Sequence, residues 1–147
     1  MSAERLYTPE LLALAVDLAD YPPIETLPLH AEARSATCGS ILAVDLALDG
    51  AGQISQLGMR VRACAVGQAA ASLFARAAMG RTPAQIAAAH DRIANWLGGE
   101  NGAGDPAVIW PGLDCLGPAR SFAARHGAIL LPWKAATQAL SSVPSAS

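Results

Sequence analysis

The stretch Ile41-Leu42-Ala43-Val44-Asp45-Leu46-Ala47-Leu48-Asp49-Gly50-Ala51-Gly52-Gln53-Ile54-Ser55-Gln56-Leu57-Gly58-Met59-Arg60-Val61-Arg62 decides how the chain is organised. Leu42, Val44, Leu46 and Leu48 fall on alternate positions, the period of a strand with one buried face. Leu57, Met59 and Val61 repeat that alternation, and Asp49-Gly50-Ala51-Gly52 between the runs is a turn signal. The two runs therefore read as an antiparallel hairpin. Laying Leu42 against Val61, Val44 against Met59 and Leu46 against Leu57 stacks apolar on apolar, and a slip of one residue would undo every match. Continued beyond Ile41, the same ladder sets Gly39 opposite Cys64, with Cys38 beside it.

Upstream, residues 27 to 35 alternate Leu29, Ala31 and Ala33 against His30, Glu32 and Arg34, a weaker first strand that extends the hairpin into a meander. Thr8-Pro9-Glu10 opens a helix with an N-cap, a proline at the first helical position and an early acid. Leu11, Leu14, Ala15 and Leu18 continue it at helical spacing, and Tyr21-Pro22-Pro23 stops it. Downstream the period changes to helical. Ala65 to Met79 is a helix rich in small residues, ended by Gly80. Thr82-Pro83-Ala84-Gln85 is a capping box for a helix whose stripe is Ile86, Ala89, Ile93, Trp96 and Leu97. Gly98 to Pro106 reads as a Gly-rich loop, residues 111 to 125 as two short helical pieces, and Pro132 as the start of a last helix through Leu140. The expected class is α+β: an N-terminal helix, a three-stranded antiparallel sheet, then helices packed on one sheet face. Residues 1–140 form one domain and residues 141–147 a frayed tail.

Composition narrows the function. The chain has 147 residues, 52% apolar and 15% charged, with a formal net charge of −2. A pI near 5.8 excludes the basic footprint of a nucleic-acid binder. No run approaches the ~18–20 apolar residues of a membrane span. The opening Met1-Ser2-Ala3-Glu4-Arg5 lacks the build of a signal peptide, so a cytoplasmic location is expected. Cys38, Cys64 and Cys115 are an odd number with no export signal, which disfavours a disulfide framework and leaves metal binding, thiol chemistry or burial.

The chemistry concentrates at one sheet edge. Residues opposed across a ladder have Cβ atoms ~4.5–5.5 Å apart, so thiols at 38 and 64 come within reach of one metal ion. Cys64 sits where a strand becomes a helix, near unpaired backbone N–H groups and the positive dipole end. Arg60 and Arg62 share its strand parity. The plainer reading is that both cysteines are small buried hydrophobes. A third, enzymatic reading takes the pair as a thiol redox or sulfur-transfer couple, without Cys-x-x-Cys spacing.

Thr37-Cys38-Gly39-Ser40 resembles the Cys-Gly-Asp turn of the iron–sulfur cluster assembly scaffolds IscU, SufU and the NifU N-terminal domain. Ala63-Cys64-Ala65-Val66-Gly67-Gln68 is similar to their second cysteine motif, and Leu131-Pro132-Trp133-Lys134-Ala135 to the segment after their third cysteine. The resemblance implies a non-enzymatic scaffold that binds iron, zinc or a nascent cluster through three cysteines and an aspartate, and that meets a cysteine desulfurase or other assembly proteins. Here Ser40 stands at the aspartate position and Ala128 at the third cysteine position. The ligand set carried over is thus Cys38 and Cys64, with His126 and Ser40 as the remaining candidates. Two thiolates do not close a four-coordinate site, so a partner or a homodimer has to complete the shell, unless the chain is an interaction subunit that keeps the scaffold fold without binding metal.

His126 has a second reading, as a hydrogen-bonded histidine near a helix start. Cys115, in Leu113-Asp114-Cys115-Leu116, reads as core packing. His30 and His90 show no acidic partner in sequence, Asp45 and Asp49 read as a solvated turn end, and the three tryptophans read as core or interface anchors.

Overall fold

A computed structural model describes residues 7–36, 39–99 and 104–141. Helix α1 (Pro9–Asp17) and a short 3₁₀ turn lead into strands β1 (Leu29–Arg34), β2 (Ile41–Leu48) and β3 (Ile54–Arg62). Then come α2 (Ala65–Ala78), α3 (Pro83–Leu97), α4 (Pro106–Ile109), a 3₁₀ run over Leu113–Ser121 and α5 (Ala123–Leu140). The sheet is antiparallel in the order β1-β2-β3. Leu42 pairs with Val61, Val44 with Met59 and Leu46 with Leu57, the register that the apolar alternation demands. The pairing shifts at Ala47/Leu48, so Leu48 meets Ile54 and leaves the strict inward alternation. Asp49 closes the turn, its carboxylate accepting from the amides of Ala51 at 2.9 Å and Gln53 at 3.1 Å.

The inner sheet face is buried through Ala33, Leu42, Val44, Leu46, Leu57 and Met59. Helix α5 covers β1 and β2, with α2 and α3 packed on its flanks and α1 on α2. Ser72 donates to the carbonyl of Leu14, and Arg76 pairs with Asp17, which pins α1 to α2. The predicted caps are in place: Thr8 accepts from Leu11 at 3.1 Å, and Thr82 and Gln85 form a reciprocal capping box.

Two expectations need correction. Pro132 does not start the last helix but lies inside α5, which begins nine residues earlier at Ala123. An interior proline costs roughly 3 kcal/mol or more and removes the amide that Ala128's carbonyl would receive. Burial offsets this: Ala128, Ile129, Leu131, Trp133, Ala135, Ala136, Ala139 and Leu140 are all packed. Beyond its first turn α5 exposes only Lys134 and Gln138, too narrow a polar side for a periodicity reading to find. The second correction concerns residues 106–121. Asp105 caps a single turn, α4, accepting from Ala107 at 3.0 Å, and a 3₁₀ run follows it. Trp110 and Phe74 stack with ring centroids 5.8 Å apart, and Trp133 stands edge-on to both, so these tryptophans anchor the core as read. The tail at 142–147 lies outside the described residues. No described helix is long and apolar enough to cross a membrane.

Candidate functional site

The rim of the sheet at the β1–β2 loop is assembled from three pieces. The first is the loop itself. Ser35 donates to the carbonyl of Ser40 at 2.8 Å, and Gly39 donates back to the carbonyl of Ser35 at 3.1 Å. Gly39 holds φ +69°, the left-handed conformation that a residue with a Cβ resists. Cys38 and Thr37 lie outside the described residues. The second piece is the end of β3. The last ladder pair joins Ile41 to Arg62, two positions short of Gly39 and Cys64, so both ends run on to the same rim. Cys64 is the N-cap of α2, in extended backbone geometry, and its carbonyl accepts from Gln68 at 2.9 Å to start the helix. Its thiol is free and partly exposed. The third piece is α5. A Cβ built on Gly67 would lie 3.3 Å from the Cβ of Ala128, so position 128 docks on the first turn of α2, one turn from Cys64.

The remaining candidates fall around this rim as follows. Ser40 is 4% exposed and shares the inward parity of Leu42 and Val44. His126 is half-buried and donates from Nε2 to the carbonyl of Arg120 at 2.9 Å. Two positions along a helix turn a side chain by about 200°, so His126 leaves α5 on nearly the opposite side from Ala128. Its hydrogen bond to Arg120 matches the alternative reading of a histidine anchored near a helix start. Among the described residues, no group of three or more His, Cys, Asp and Glu side chains could hold a metal ion. Cys115 packs against the core on the 3₁₀ run, and its thiol is pushed up by burial first, then by Asp114 and Glu10, with Arg76 opposing.

Two features escaped the sequence reading. His30 donates from Nδ1 to Asp45 at 2.6 Å, its partner across the β1–β2 ladder, and Asp45 also accepts from the amide of Ile24 at 2.9 Å. Asp45 therefore ties the segment before β1 to the sheet rather than serving as a solvated turn end. The outward sheet face also forms a concavity lined by Glu32, Arg34, Ile41, Ala43, Arg60 and Arg62. The shared outward parity of Arg60 and Arg62 was the visible half of that signal. The other half required the β1 register.

Solved structures carry this fold. A nitrogen-fixing NifU-like protein (N-terminal) from Brucella abortus superposes with a TM-score of 0.82 at 26% identity, over 94% of each chain. An iron–sulfur cluster assembly scaffold protein for the SUF system from Fervidobacterium islandicum AW-1 superposes at 0.83 with 19% identity, over 95% of this chain and 99% of that one. A crystal structure described only as a hypothetical protein matches at 0.73 and 19% identity, over 89% of this chain and 96% of that one. No protein-family model matches the sequence, and no curated protein does. The chain has the fold of the NifU N-terminal and SufU scaffold proteins, as the three motifs implied. The SUF-system neighbour is described as a scaffold protein.

Proposed function

We propose that the chain is a scaffold-type protein of iron–sulfur cluster assembly that carries iron, zinc or a nascent cluster as cargo on Cys38 and Cys64. The observation that supports the reading is the hairpin register, which points Gly39, just before β2, and Cys64, just after β3, towards one rim. The thiolates would supply two bonds. Ser40 and Ala128 leave the other positions of a four-coordinate shell empty of strong ligands, so a second copy or an assembly partner such as a cysteine desulfurase supplies the rest. His126 contributes only if it leaves the carbonyl of Arg120.

The test is anaerobic reconstitution with Fe²⁺ and sulfide, followed by metal analysis and an absorption spectrum. The expected result is bound iron at less than one per chain or bridging two chains, abolished by Cys64→Ser and by Cys38→Ser. Equal, negligible metal in wild type and both variants would overturn the reading. A reversible Cys38–Cys64 disulfide without metal retention would move the function to thiol redox chemistry.

A further inference from the structure

The outward sheet face carries a feature that the cysteine rim does not use. Two cross-strand rows lie side by side on it, Glu32–Ala43–Arg60 and Arg34–Ile41–Arg62. The middle strand contributes only Ile41 and Ala43, a low apolar floor, while the arginines rise from the strands on either side. Together these residues line a trough of about 260 Å³. Strands ~4.8 Å apart separate the two walls by about 10 Å, room for one extended chain between them. One end is closed: a Cβ on Gly58, in the next row, would stand 2.6 Å from the carbonyl oxygen of Pro22 and 2.7 Å from the amide of Ile24. The other end runs towards the rim where Gly39 and Cys64 lie.

The charge in the trough is unbalanced. Glu32 lies 3.8 Å from Arg34, and Glu25, outside the trough, lies 3.3 Å from Arg60. All four side chains are exposed, so these pairs exchange readily for other partners. Arg62 makes no ion pair among the described residues. Three guanidinium groups thus share two exposed carboxylates, Glu32 in the trough and Glu25 outside it, on a chain whose net charge is −2. Guanidinium matches a carboxylate through two parallel hydrogen bonds, a fit that lysine does not give. The arginines stand in two rows along the strand direction rather than converging on one point, which suits a run of carboxylates better than a single small anion. Three cations on an acidic protein fall short of a nucleic-acid footprint.

We propose that the outward face of the sheet is a docking trough for an extended, acidic polypeptide segment of a partner protein, gripped by Arg34, Arg60 and Arg62 over the floor of Ile41 and Ala43. Carboxylates spaced two residues apart on the segment fall on one side of it and meet successive arginine rows. The segment enters from the cysteine rim, since residues 22–24 block the far end. The inference does not depend on metal or thiol chemistry at that rim.

The test is fluorescence anisotropy on the full chain at low salt, with a labelled peptide about ten residues long that alternates Glu and Thr, and its Gln counterpart. The Glu peptide is expected to bind roughly tenfold or more tightly than the Gln peptide, with affinity falling as salt rises. Replacing Arg34, Arg60 and Arg62 together by Gln is expected to weaken it at least tenfold, and Glu32→Gln to tighten it. Melting temperature checks that the variants fold. If the triple variant does not, the Glu peptide must shift the amide resonances of Ile41, Ala43 and Arg62 in the native chain. Equal binding of the two peptides, unchanged binding by a folded triple variant, or shifts confined elsewhere would overturn the proposal. Displacement by inorganic phosphate at equal concentration would do so too, since it makes the trough an unspecific anion site.

Discussion

Ala128 and Gly67 meet where α5 docks on the first turn of α2: a side chain begun on Gly67 would stand 3.3 Å from the Cβ of Ala128 and 2.7 Å from that of Ala63. Both distances lie below ordinary contact, and α2 is buried along this face. Gly67→Ala gains about 1 kcal/mol in helix propensity, but it forces the helices apart, and overpacking costs roughly 1–3 kcal/mol. Chemical denaturation is expected to show a net loss of stability. A variant more stable than wild type would mean that the two helices do not meet as described.

The same contact makes position 128 the place to rebuild a ligand. Under the proposed function, Ala128→Cys adds a third thiol one helical turn from Cys64 and raises zinc affinity roughly tenfold or more in a chelator competition. Adding Cys64→Ser to that variant should return the affinity to baseline or below. An Ala128→Cys chain with unchanged zinc affinity would argue against a metal centre at this rim.

Trp110 and Trp133 are both fully buried, and the indole of Trp110 donates to the carbonyl of Leu73 at 2.7 Å. The indole N–H of Trp133 is buried without a hydrogen-bond partner among the described residues. Truncation to Phe removes a satisfied donor in one case and an orphan in the other. Trp110→Phe is therefore expected to destabilise the fold by about 1 kcal/mol more than Trp133→Phe in urea titrations. The reverse order would contradict this assignment.

Gly58 is a second close approach. The carbonyl of Pro22 and the amide of Ile24 occupy the space a side chain would need, and that segment is held by Tyr21 accepting from Met59 at 3.1 Å and by Ile24 donating to Asp45. Gly58→Ala has to push backbone rather than a flexible side chain. It is expected to cost roughly 1–3 kcal/mol and to expose residues 21–25 to proteolysis. Unchanged stability together with unchanged cleavage would contradict the packing.

Cys115 gives the pH dependence. Burial holds its thiol above the ordinary value, so the folded chain keeps this proton at a pH where the unfolded chain has released it. The contribution is constant below the unfolded thiol pKa, ~8.5, and stability then declines as pH rises towards the folded value. Cys115→Ala is expected to flatten the decline. A decline of the same slope in the variant would assign it to other groups.

The hairpin was legible because a period of two leaves one register that stacks Leu42, Val44 and Leu46 on Val61, Met59 and Leu57, and those pairs leave no ambiguity. The caps at Thr8 and Thr82 were legible because capping is local chemistry. The start of α5 was not, since an interior proline is tolerated only through burial that no local rule contains. His126 illustrates the same limit at the site. Its nearness in sequence to Ala128 says nothing about direction, and a helix turns the two apart. The Asp45–His30 pair and the arginine trough both depend on β1, whose short alternating run gave a strand without a register.

The helix at the centre of the molecule is synthesised after every element it separates. Until residue 140 has left the ribosome, the greasy side of β1 and β2 lacks the helix that covers it, and the nascent chain must carry most of that face exposed. Cooperative folding therefore waits for α5, and slow elongation near this segment would prolong the interval in which the nascent chain is prone to aggregate.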